Sequence, residues 1–188
     1  MLIFNEMSKI VSVLEEGGII IYPSDTGWSM GCDALNENAV RKIYNIRGAE
    51  MESPAIILVS GIEMLKQYAR EIHPRVESLI FYHEKPLTVI YKNVPGFHSM
   101  MYGDKMSLAI RVVRDKYCEA FIDSFGMPVL CTSVKNPGED TPVHFQKINP
   151  ELLNKADFVS DYRRNDFTNP KESALVSFNS NGKLKFLK

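Results

Sequence analysis

Apolar residues fall in short runs whose period changes along the chain. In residues 8–16, Ile10, Val11, Val13 and Leu14 share one helical face, and Gly17-Gly18 ends it. Residues 19–22 form a continuous β-branched and aromatic run, which predicts a buried strand. Pro23 has no N–H to donate and is expected to end that strand's ladder, leaving Ser24, Asp25 and Thr26 at its exit. Asn36 is placed to cap a helix bearing Ala39, Val40, Ile43 and Ile46, with Arg41, Lys42 and Arg47 on or near its outer face. A second buried strand follows at 55–59, a helix at 62–70, and another opened by Pro74 towards Phe81. Strands at 87–91 and 108–112 flank a loop with Pro95, Gly96 and Gly103. The pattern then gives a helix at 117–125 stopped by Gly126, a strand at 129–133 and a short helix after Asn149-Pro150. Strands near 157–160, 174–178 and 183–187 close the chain, with Asn181-Gly182 as a hairpin signal between the last two. This irregular interleaving predicts an α/β (α+β) fold: one domain over 1–188 with a twisted, mixed central sheet flanked by helices.

Composition narrows the function classes. The 188 residues are 45% hydrophobic and 24% charged with a formal net charge of −1, enough for a real core but without a global electrostatic footprint for nucleic acid. RNA binding would therefore need a local basic patch. The three cysteines, Cys32, Cys118 and Cys131, fit neither a zinc spacing nor a disulfide framework, and suit thiols in a reducing compartment. No apolar run approaches bilayer length and the N-terminus lacks a signal pattern, so a cytoplasmic location is expected, with no membrane partner. There is no Gly-x-Gly-x-x-Gly after a strand, no Walker lysine and no Gly-x-Ser-x-Gly elbow, and His73, His83, His98 and His144 show no ligand spacing.

Chemistry concentrates where strands end. Ser24, Asp25 and Thr26 offer two hydroxyls and a carboxylate at a strand exit, where α/β proteins hold small polar ligands, although an Asx/Ser turn explains the same residues. Thr132, Ser133, Lys135 and Asn136 follow a buried strand and precede the Pro137-Gly138 turn, a combination of hydroxyls, amides and an ammonium suited to phosphate. Lys135 taken alone reads as a solvated turn lysine. Arg111, among apolar neighbours, must find a carboxylate or a bound anion.

In this order, these segments resemble the YrdC-like family, which includes the threonylcarbamoyl-AMP synthases. Its signature of Pro-Thr-Asp-Thr, an aromatic, a small residue and Gly-Cys-Asp reads here as PSDTGWSMGCD, residues 23–33. The likeness continues through Ile43-Tyr44-Asn45-Ile46-Arg47, strand 55–59, Pro86-Leu87-Thr88, LAIRV at 108–112 and PVLCTS at 128–133. It covers nearly the whole chain and lacks the extra C-terminal domain of longer members. Where synthases carry Lys-x-Arg this chain has Arg47 and Ala49; where they carry Ser-x-Asn it has Ser133 and Lys135, with Asn136 next. The late Ser-Thr pair is Ser173-Ala174, and Ser24 and Trp28-Ser29 replace the usual Thr and Tyr-Gly. These features are closest to the YciO branch.

The resemblance implies a concave basic cavity and joining of L-threonine, bicarbonate and ATP, the ATP carrying Mg²⁺, to give threonylcarbamoyl-AMP and pyrophosphate for tRNA threonylcarbamoyladenosine synthesis. By that resemblance Ser24, Asp25, Thr26, Trp28, Arg111 and Ser173 contact substrate. Arg47, Thr132, Ser133, Lys135 and Asn136 contact nucleotide, with no protein-held metal and no assigned general base. The other class of function is a non-catalytic paralogue binding double-stranded RNA, tRNA or a nucleotide on the same surface; the absent second cation at Ala49 favours it, whereas the hydroxyl-lined socket favours the enzyme.

Overall fold

The structure, a computed structural model, describes residues 2–48 (side chains from Glu6), 55–69, 72–103, 106–136, 138–168, 170, 173–178 and 183–187. Ala49, Arg70, Pro137 and the turn expected at Asn181-Gly182 lie outside these residues.

The described elements are α1 (Leu2–Glu15), β1 (Ile20–Ser24), β2 (Gly27–Asp33), α2 (Glu37–Arg47), β3 (Ile56–Val59), α3 (Ile62–Tyr68), α4 (Pro74–Tyr82), β4 (Leu87–Lys92), β5 (Ser107–Val112), α5 (Lys116–Phe125), β6 (Val129–Ser133), α6 (Pro150–Leu153), β7 (Phe158–Val159), β8 (Ala174–Phe178) and β9 (Leu184–Phe186). Helix starts follow their capping residues. The Asn36 side chain accepts from the Asn38 and Ala39 N–H groups, and Asp115 accepts from Tyr117 and Cys118. Gly126, at φ 74°, stops α5 in the left-handed conformation that a residue without Cβ adopts freely.

The strands form one mixed sheet in the order β7-β1-β2-β6-β3-β5-β4-β8-β9. β3 runs parallel to β5, β1 to β7 and β4 to β8; the other pairs are antiparallel. α1 packs on α5 and on β1, β2 and β7, α5 packs on β3, and α2 packs on β2. The fully buried Tyr22 meets Phe121 of α5 edge-on at 5.0 Å, while Ala39, Val40 and Ile43 of α2 join the same continuous core. Among the described residues, no helix is long and apolar enough to cross a membrane.

Two expectations at the first strand are corrected. Pro23 does not end the ladder: β1 continues to Ser24, and Pro23 pairs with Trp28. The missing N–H is tolerated because β7 pairs only with Ile20 and Ile21, so that side of β1 is an open edge at Pro23. Residues 27–33, not anticipated as a strand, form β2, so Asp25-Thr26 is the two-residue turn of a hairpin closed by Ser24 and Gly27. Gly31 lets β2 and β6 lie close: a Cβ there would sit 2.8 Å from the Leu130 carbonyl oxygen.

Candidate functional site

The hairpin turn carries the first part of the site. Ser24 Oγ lies 2.8 Å from the Gly27 carbonyl, 3.1 Å from Thr26 Oγ1 and 3.3 Å from Ser29 Oγ, and accepts the Thr26 N–H at 3.2 Å. Ser29 pairs directly with Ser133 across β2 and β6, so Ser24, Ser29 and Ser133 lie on one face of three strands. Thr132, expected with them, pairs with Met30; strand alternation puts it on the opposite face, away from this row.

Arg111 of β5 is the second part. In a flat sheet its position and the hairpin turn, four strands away, would be roughly 28 Å apart by strand spacing and rise. Instead Arg111 Nη1 donates to Thr26 Oγ1 at 3.1 Å, and Nη2 lies 3.8 Å from Asp25 Oδ1. The length of the arginine side chain and the twist accumulated between neighbouring strands together close that gap. Arg111 is only 2% exposed, and its Nε has no hydrogen-bond partner among the described residues. Burial pushes the Asp25 carboxyl above its ordinary value, opposed by the Arg111 charge. Thr88 of β4 lies beside Arg111, one residue beyond the Val89–Ile110 pair, and its hydroxyl donates to Ser173 Oγ at 3.2 Å. Ser173 thus reaches the Arg111 neighbourhood through Thr88.

The third part joins α2 to the end of β6. Arg47, expected on or near the outer face of its helix, is buried at 4% exposure and donates from Nη1 to the Lys135 carbonyl. Lys135 Nζ donates to the Glu139 carbonyl at 2.8 Å, and the Asn136 amide donates to the Glu139 carboxylate at 3.1 Å. The loop expected to cradle phosphate therefore also makes contacts within itself.

A cavity of about 340 Å³ opens over the hairpin, walled by Ser24, Asp25, Trp28, Arg163, Asp166 and Thr168, among others. Trp28 is 4% exposed and packs against Phe145 with ring centres 4.8 Å apart. Asp166 accepts the Thr168 N–H at 2.9 Å and its hydroxyl at 2.7 Å, contacts that lower its pKa. This wall is mixed in charge: two carboxylates and one arginine. Arg47, Arg111, Ser133, Lys135, Asn136 and Ser173 lie outside its lining. Sequence reasoning passed over Ser29 as a site residue, and Arg163 and Asp115 altogether. Adjacent arginines just after the short strand β7, in DYRRN, were the available signal.

The molecule is thus an α/β protein whose mixed sheet carries a hydroxyl-bearing hairpin facing a buried arginine. The chain belongs to the Sua5/YciO/YrdC family, whose profile, described as telomere recombination, matches residues 12–188. It is 25% identical over 167 residues to the threonylcarbamoyl-AMP synthase of Xanthomonas campestris, covering 83% of this chain and 85% of that protein. The fold is that of Escherichia coli YciO, with a TM-score of 0.81, 19% identity, and coverage of 98% of this chain and 88% of that one. It is also that of Pyrococcus abyssi Sua5 in complex with L-threonine, with a TM-score of 0.82 and 22% identity. That alignment takes in 97% of this chain but 54% of Sua5, so the chain spans about half of that protein's length.

Proposed function

We propose that the protein is a threonylcarbamoyl-AMP synthase-type enzyme, a nucleotidyltransferase that supplies threonylcarbamoyl-AMP for tRNA threonylcarbamoyladenosine formation. In this reaction the threonine nitrogen bonds to the bicarbonate carbon, whose C–OH bond breaks with loss of water, giving an N-carboxylate. The resulting carboxylate takes up the AMP moiety of ATP at its α-phosphorus, and pyrophosphate leaves. The observation that carries the reading is Arg111: a buried guanidinium whose nearest carboxylate is 3.8 Å away, set against a hydroxyl-lined turn. Burying a charge is costly unless it is well paired, and a bound anion completes that pairing.

Ser24, Asp25, Thr26 and Trp28 wall the amino-acid side, with Arg111 and Ser173 behind them. Ser133, Lys135, Asn136 and Arg47 form the nucleotide side, joined to the first through Ser29. Mg²⁺ enters with the triphosphate and neutralises its charge; the protein's part is to orient the substrates and shield the labile carbamate from water. Thr132 has no role in this arrangement because it faces the other side of the sheet.

A second reading, a non-catalytic relative that binds double-stranded RNA, tRNA or a nucleotide, draws on the contacts that Lys135 and Asn136 make with Glu139. Incubation of the pure protein with ATP, bicarbonate, L-threonine and Mg²⁺ separates the two. The enzyme releases pyrophosphate and the adenylate only when threonine is present. Absence of any threonine-dependent product, alongside measurable binding to structured RNA, removes the first reading.

A further inference from the structure

Arg163 is the most elaborately held residue in the cavity wall. Its backbone is left-handed at φ 57°, a conformation costly for a residue bearing a Cβ. Its guanidinium lies 4.7 Å over the Tyr162 ring, and Tyr162 stacks in turn on Tyr117, with centres 4.5 Å apart and planes 17° from parallel. Nη1 donates to Asp115 Oδ2, while Asp115 Oδ1 accepts the N–H groups of Tyr117 and Cys118 at 3.0 and 3.1 Å. One buried carboxylate thus fixes both the start of α5 and the arginine head.

The Arg163 side chain remains 29% exposed, and the residue lines the cavity. The ion pair engages one nitrogen of a planar fork with five N–H donors, a shape suited to two oxygens of a carboxylate or phosphate. Asp115 is already supplied with two backbone donors, so neutralising it does not by itself account for an arginine on a strained backbone. Asp25 and Asp166 share the wall, and Arg163 is the cation among its lining residues.

We propose that Arg163 holds an oxyanion of the substrate in this cavity and that Asp115 is its positioning residue. The inference rests on reading the cavity as the substrate site. Trp28 is the only tryptophan in the chain and lines the same cavity, so its fluorescence reports filling. Wild type and variants are titrated separately with L-threonine, ATP and pyrophosphate, and their melting temperatures are recorded. Arg163→Gly adopts φ 57° without strain and keeps the fold; Arg163→Met keeps side-chain length.

Both variants should lose about tenfold or more in affinity, the range for one charge-assisted hydrogen bond. A loss confined to L-threonine identifies a carboxylate, and a loss for ATP and pyrophosphate identifies a phosphate. Asp115→Asn keeps a capping oxygen but removes the charge. It should weaken the same ligand by a smaller factor, raising KM more than it lowers kcat if turnover is present, with the melting temperature held. Variants that bind all three ligands as wild type does overturn the proposal, and so does a wild type that binds none. Arg163-dependent binding without a threonine-dependent product supports it while removing the synthase reading.

Discussion

Replacing Arg111 by Met separates ligand binding from folding. The guanidinium is 2% exposed, touches Thr26 Oγ1 at 3.1 Å and lies 3.8 Å from its carboxylate partner. An ion pair at that distance recovers less of its desolvation cost than a close bidentate contact, so an apolar side chain of similar length removes a buried charge with little loss of stability. Asp25, at 21% exposure, retains access to water and can take up a proton once the neighbouring charge is gone. The variant is therefore expected to melt within a few degrees of wild type, corresponding to about 1 kcal/mol or less. Binding behaves differently. One charge-assisted hydrogen bond contributes about 1.5–3 kcal/mol, and at about 1.4 kcal/mol per decade this is roughly a 10- to 150-fold loss of affinity. Titration calorimetry with L-threonine and with ATP, alongside thermal melts, measures both quantities. A melting temperature that falls by more than about 10 °C while affinity stays unchanged would refute the reasoning, because Arg111 would then be a structural ion pair.

Two further outcomes follow from the same geometry. Burial raises the Asp25 pKa above its ordinary value, so the folded state holds this proton more tightly than the unfolded chain does, and stability is lost as pH rises from near 3.8 through the raised value. Asp25→Asn escapes that loss: it should match wild type in melting temperature near pH 3 and exceed it at pH 7, and equal melting temperatures at both ends would contradict the assignment. Gly31→Ala places a Cβ 2.8 Å from the Leu130 carbonyl and should cost about 1–3 kcal/mol in urea unfolding, whereas a cost below about 0.5 kcal/mol would show that β2 and β6 separate freely.

Hydrophobic patterning located most elements because their ends carry chemistry of their own: Asn36 and Pro74 at helix starts, Gly126 at a helix end. It missed β2 although Trp28, Met30 and Cys32 alternate with Ser29 and Gly31, because two glycines in GWSMGCD weaken its strand propensity and its place in the sheet is fixed by neighbours on both sides. Candidate site residues close together in sequence were legible, since Ser24, Asp25 and Thr26 declare themselves as a cluster. Arg47 was misplaced because helical periodicity cannot show that the last turn is covered by the loop after β6. Arg163 was not found because its role depends on Asp115, an ordinary capping residue 48 positions earlier.

The coil of the sheet also resembles a strung bow. The chain leaves one margin of the sheet at Val159, beside β1, and rejoins it at Ala174, beside β4, seven strand positions away in the order of the sheet. Laid flat, that breadth is roughly 34 Å. Between these strands the described residues of the string pass the hairpin, where Pro170 would stand 3.3 Å from a Cβ on Gly27, and they include Arg163, Asp166 and Thr168 of the cavity wall. The wall over the hairpin is thus a tether across the sheet rather than a free loop, because both of its ends are paired into strands, at Phe158–Val159 and at Ala174–Phe178.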